Sequence, residues 1–177
     1  MIPAPEFPRP IRIDTLGEGT RTIAIEANEA ERAALATRFG LIALDALTAQ
    51  AEVTRNGDII MATGRMDAQA TQACVATGAP LPVTLNEPFT LKFVPALDEG
   101  DPLPEIELDA DDCDTIDYSG GAIDLGEAVA ETLLLSLDPF PRSPDADAIL
   151  RAAGVVQEDE AEVGPFAALK ALKDKLK

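Results

Sequence analysis

The groups in this sequence that could perform chemistry are carboxylates and two thiols, with no imidazole. Across positions 98–117 ten Asp and Glu residues occur without a Lys or Arg, and Asp109, Asp111 and Asp112 lie nearly side by side. Paired carboxylates can act as general acid and base when their surroundings drive their pKa values apart. In a run this dense they read instead as a solvated loop carrying at most a short strand. A calcium loop needs alternating ligands around a central glycine and a terminal Glu, and "DEGDPLPEIELDADDCDTID" has no such frame. Cys74 and Cys113 form no CxxC pair, and the chain has no His, so no metal centre is expected. The glycines of "SGGAIDLGE" precede a helical pattern, yet the lysine and hydroxyl of a phosphate loop are missing and Asp124 occupies the cap. With no His, no GxSxG elbow and no cysteine beside a recognisable base, neither an enzyme nor a cofactor is expected. The acidic run is better suited to solvation, or to meeting a basic partner.

Charge sharpens this. The 177 residues carry 14 Lys and Arg against 32 Asp and Glu, a formal net charge of -18, which repels polyanions such as RNA or anionic lipid. Residues 1–95 hold 8 basic and 11 acidic residues, whereas residues 96–177 hold 6 and 21. The acidity therefore belongs to the second half. "MIPAPEFPRP" lacks a basic stretch followed by an apolar run, and nowhere do eighteen apolar residues follow one another, so a cytoplasmic protein without a membrane role is expected.

The elements that must position these groups are legible from periodicity. "IRIDTL" and "RTIAIEA" alternate as strands, with Gly17 and Gly19 as the turn between them. In "NEAERAALATRFG", Asn28 caps a helix that turns Ala30, Ala33, Ala34 and Phe39 inward and ends at Gly40. Leu47, Ala49, Ala51 and Val53 share one face of the next strand, and Asn56-Gly57 suits a type I′ hairpin turn. The return strand carries Ile60, Ala62, Gly64 and Met66 and runs on to a turn near Gly78. "LPVTL" and "FTLKFVP" alternate again, with a bend or bulge expected at Pro88.

The strongest pattern is "IDLGEAVAETLLLSLDPFPRSPDAD". Asp124 with Glu127 resembles a capping box, and Leu125, Ala128, Val129, Thr132, Leu133 and Leu137 share one helical face. Leu135 widens that stripe and Leu134 lies nearly opposite its centre, so burial on more than one side is expected. Pro139 ends the helix, and "DPFPRSP" becomes a stiff connector displaying Phe140 and Arg142, either a docking point or a structural bridge. "DADAILRAAG" offers a short helix closed by Gly154. Residues 155–164 read as an acidic linker. In "PFAALKALKDKLK" Phe166, Leu169, Leu172 and Leu176 line one side of a helix while Lys170, Lys173, Lys175 and Lys177 surround the rest. This is a docking helix on a tether, for its own domain or for a partner.

Three of these segments resemble the YceD family of bacterial proteins linked to accumulation of large-subunit ribosomal RNA: "TQACVATGAPLPVTLNEPFTLKFVP", "IDLGEAVAETLLLSLDPFPRSPDAD" and "GPFAALKALKDKLK". The resemblance covers most of residues 70–177 in a shared order. Many family members carry a second cysteine just after the one matching Cys74, and further cysteines after the leucine-rich helix. Here Val75, Ala76 and Thr77 follow Cys74 and "PRSPDADAIL" has none, so metal binding is not carried over. The resemblance implies a non-enzymatic factor in large-subunit assembly that contacts ribosomal RNA or a basic ribosomal protein.

The expectation is one α+β domain over residues 1–154, an antiparallel sheet, open or curled toward a barrel, packed by the leucine-rich helix. The acidic linker follows, and then a C-terminal amphipathic helix over residues 165–177. Two partner modes stand open. RNA would meet Arg9, Arg12, Arg21, Arg32, Arg38, Arg55 and Arg65 gathered on one face. A basic protein, without RNA contact, would meet the acidic run; Phe140, Arg142, Asp109, Asp111, Asp112, Lys170 and Lys173 are the candidate partner contacts, whichever the partner. The oligomeric state is left open.

Overall fold

In the computed structural model, residues 5–17, 19–96 and 114–155 are described. Strand β1 (Pro10–Arg12) precedes β2 (Arg21–Glu26), helix α1 (Glu29–Phe39), β3 (Ala43–Asn56), β4 (Ile59–Ala73) and β5 (Pro80–Pro95). After the undescribed stretch come β6 (Asp114–Tyr118), β7 (Ala122–Asp124), α2 (Leu125–Ser136) and α3 (Ala146–Ala152). The architecture is α+β, and its main sheet has the order β2-β3-β4-β5-β6, which does not close into a barrel. Four strands run antiparallel and β6 joins β5 in parallel. β6 is the short strand at the end of the acidic run, with Asp114 and Asp117 exposed.

The alternation in β3, β4 and β5 puts Leu47, Ala49, Ala51, Val53, Ile60, Ala62, Met66, Phe89, Leu91 and Phe93 on one buried face. That face packs into a single core with Leu35 of α1 and Leu125, Ala128, Val129 and Leu133 of α2. Period two in the strands and 3.6 in the helices converge on one apolar layer.

Local geometry departs from expectation at six places. "IRIDTL" is strand only to Arg12, because a tight turn at Ile13–Thr15 follows and Leu16 is buried beyond it. β1 pairs with β7 in a separate two-stranded sheet and makes no hairpin with β2. The hairpin loop is Gly57-Asp58 between paired Asn56 and Ile59, and Gly57 has φ 63° while no non-glycine residue among those described is positive. One left-handed glycine at the first position gives type II′ rather than I′, sparing Asn56 the left-handed region. β5 passes through Pro88 without a register shift, Pro88 facing Arg65. It sits where β5 has β4 on one side only among the described residues, so a missing N–H interrupts no second ladder. The irregularity instead falls between Leu44 and Ala46 of β3.

In α1, Leu35 and Ala36 are the buried residues, while Ala30 and Ala33 are exposed. The larger apolar area of Leu35 sets the rotation of the helix. The Asn28 cap is complete, its side chain accepting from the Glu31 N–H while its own N–H donates to the Glu31 carboxylate. In α2 the expected inward face is buried, but Leu134 is 46% and Leu135 78% exposed. The helix is therefore covered on one side. Asp124 caps it by accepting from the Gly126 and Glu127 N–H groups at 3.0 and 3.1 Å, and the same oxygen accepts from the Arg9 N–H at 2.8 Å. Glu127 pairs with Arg38 of α1, which also holds Glu6. These bonds fasten the N-terminal segment and both long helices together, with fully buried Phe7 beneath them.

Candidate docking site

A groove of about 420 Å³ lies where α1, the β4–β5 turn and the end of α2 meet, lined by apolar Phe39, Leu41, Val75, Leu134, Pro139 and Pro141 and by polar Gln72 and Asp138. Each wall follows from local sequence. Gly40, with φ 65°, ends α1 in a left-handed cap and turns Leu41 into place. Gly78, with φ 72°, closes the β4–β5 turn that presents Val75, which is 56% exposed. Pro139 and Pro141 stiffen the connector that forms the opposite wall.

Three hydrogen bonds strap this connector to the end of the hairpin. The Val75 N–H donates to the Pro141 carbonyl at 2.9 Å. The Gln72 side-chain amide donates to the Asp138 carbonyl at 2.8 Å, and the Ser143 N–H donates to the Cys74 Sγ at 3.3 Å. The two resemblance-bearing segments within the described residues thus meet in space, and the groove runs along their junction. No Lys or Arg lines it, whereas Asp138 does.

Cys74 belongs to the strap. It is 2% exposed and does not line the groove. A hydrogen bond from the Thr77 hydroxyl, and then the Ser143 N–H, draw its thiol down to about 6. Burial under the connector makes Sγ a structural acceptor rather than an accessible nucleophile. Among the described residues no group of three metal-ligating side chains comes together, and no helix is long and apolar enough to cross a membrane.

Of the residues expected to meet a partner, Phe140 is 74% exposed at the crest of the connector, its N–H held by the Asp138 side chain. Arg142 is paired with Asp147 at 2.8 Å. Asp109, Asp111, Asp112, Lys170 and Lys173 lie outside the described residues, as do the acidic linker beyond Val155 and the expected C-terminal helix.

Six of the seven arginines expected to gather for RNA are engaged, whereas Arg21 is exposed and lines one groove with Arg9 and Arg12. Arg9 grips Glu31 with both guanidinium nitrogens at 2.8 Å, Arg12 pairs with Asp14, and Arg38 holds Glu6 and Glu127. Arg32 donates to the Ala27 carbonyl, Arg55 to those of Ile13 and Gly57, and Arg65 to Asn86.

Periodicity alone missed the groove. Its signal was Leu134, an apolar residue on the side of α2 where an amphipathic helix should be polar.

No curated protein and no solved structure matches the chain. Residues 62–173 match the family model described as "Large ribosomal RNA subunit accumulation protein YceD".

Proposed function

Because the chain belongs to the YceD family of large ribosomal RNA subunit accumulation proteins, we propose that it supports that accumulation as a non-enzymatic adaptor holding a basic ribosomal protein. The observation that carries this reading is the engagement of six of the seven candidate arginines, three of them by carboxylates. A phosphate backbone would have to displace carboxylates from Arg9, Arg12 and Arg38 before gaining anything from counterion release. The net charge of -18 opposes RNA further.

A basic protein meets the opposite situation. The acidic second half attracts it over a distance and speeds encounter. Exposed Phe140, next to Asp138, whose side chain accepts from its N–H, then offers an apolar contact beside a carboxylate. Delivery of a protein that covers the nascent RNA accounts for RNA accumulation without RNA binding, and bacterial subunit assembly would place this in the cytoplasm.

The test is purification of the tagged protein from its own cells, with and without ribonuclease, reading both RNA and co-purifying proteins. A basic ribosomal protein that survives ribonuclease is the expected result. Large-subunit RNA whose removal strips away every protein would overturn the adaptor reading and place the chain on assembly particles through RNA.

A further inference from the structure

The groove has a natural occupant in the chain's own C-terminus, an inference that stands independently of the adaptor reading. We propose that residues 165–177 fold back as an amphipathic helix and bury Phe166, Leu169, Leu172 and Leu176 in the groove between the end of α2 and the 138–143 connector.

Reach supports this. Description ends at Val155, directly after α3. α3 itself starts just beyond Ser143, whose N–H is bonded to Cys74 beside the groove, and its first residue Ala146 is buried. Nine residues separate Val155 from Pro165, ten Cα steps with an extended span of about 33 Å. α3 rises only about 10 Å. The tether is thus long enough to return to a groove formed by the connector that leads into α3.

Chemistry supports it as well. The groove has an apolar side in Val75 and Leu134, each about half exposed, beside polar Gln72 and Asp138, and the tail supplies an apolar stripe at helical spacing flanked by lysines. Asp138 is the charged side chain lining the groove, and Asp145 and Asp147 follow on the chain next to it. Lys170, Lys173 and Lys175 flank the tail's stripe, so charge complements apolar fit. A second copy docking its tail in exchange would use the same surfaces. The short path from α3 favours the intramolecular arrangement, where the effective concentration is high.

The test uses the full chain at low concentration, carrying Lys177→Cys with a spin label in a Cys113→Ser background. Amide resonances of Val75 and Leu134 should broaden, while those of Asn56 and Gly57, at the other end of β4, stay sharp. Leu169→Glu with Leu172→Glu should abolish the broadening, and Leu134→Lys should release the tail from the groove side. Sharp Val75 and Leu134 resonances in the labelled chain would overturn the proposal. So would broadening that appears only when isotope-labelled chains are mixed with separate spin-labelled ones, since the occupant would then be a second copy.

Discussion

The Val75 N–H and the Pro141 carbonyl, far apart in sequence, meet at 2.9 Å, and this bond fixes the proline-spaced connector across the end of the β4–β5 hairpin. Beside it, Cys74 Sγ accepts from Ser143. Cys74→Ala removes that acceptor and leaves the Ser143 N–H without its partner, which should cost about 1–2 kcal/mol in denaturant unfolding. The Val75 amide should also exchange faster with solvent. Unchanged stability together with unchanged Val75 protection would show that the strap holds without the thiol.

Gly126 marks a close backbone crossing. A Cβ there would stand 1.9 Å from the Phe7 carbonyl oxygen, whereas one at Gly121 would meet nothing within 4 Å. Gly126→Ala must shift backbone at the α2 N-terminus, and about 1–3 kcal/mol of destabilisation is expected from overpacking. Gly121→Ala, at a site without positive φ, should stay within about 0.5 kcal/mol of the parent. Equal melting temperatures for the two variants would contradict the close approach.

Acid should loosen the contacts between the N-terminal segment and α1. Hydrogen bonds from Arg9 lower the Glu31 carboxyl below its ordinary 4.5, and those from Arg38 do the same for Glu6. Both groups are more acidic folded than unfolded, so their stabilisation is present above pH 4.5 and is lost as pH falls through the folded values. Glu31→Gln should be less stable at neutral pH and should show a shallower stability loss below pH 4.5. Parallel stability profiles for variant and parent would exclude the Arg9 pair as a source of acid sensitivity.

Leu135 and Phe140 contribute little to the fold, being 78% and 74% exposed. Leu135→Ser and Phe140→Ala should each alter unfolding free energy by no more than about 0.5 kcal/mol. On the adaptor reading Phe140→Ala should reduce the basic protein recovered after ribonuclease. Full recovery with Phe140→Ala would remove the connector crest from the partner surface.

Asp109→Asn, Asp111→Asn and Asp112→Asn together should act mainly on encounter with the basic partner. Association should slow and its dependence on salt should weaken, with dissociation little changed. A complex equally salt-sensitive with and without the three carboxylates would assign the steering charge elsewhere.

The sequence by itself determined the class, the main strands and long helices, and the buried faces of β3, β4 and α2. Alternation in residues 47–53 and 59–66 named the buried face of β3 and β4, Asn28 and Asp124 named the two long-helix caps, and the order of three segments named the family. Those features are local, since a side-chain period and a capping offset are set within a few residues. Pairing between distant segments decided the rest. β1 lies against β7 rather than β2, and β6 enters in parallel, because ladder partners are chosen by burial of a shared face and not by chain proximity. Leu134 could be placed only once α2 was docked, since a helix covered on one side leaves the opposite leucine in solvent. The groove follows from that leucine together with the bond from Val75 to Pro141. A site assembled from α1, a hairpin turn and a proline connector leaves no spacing for a one-dimensional reading to find.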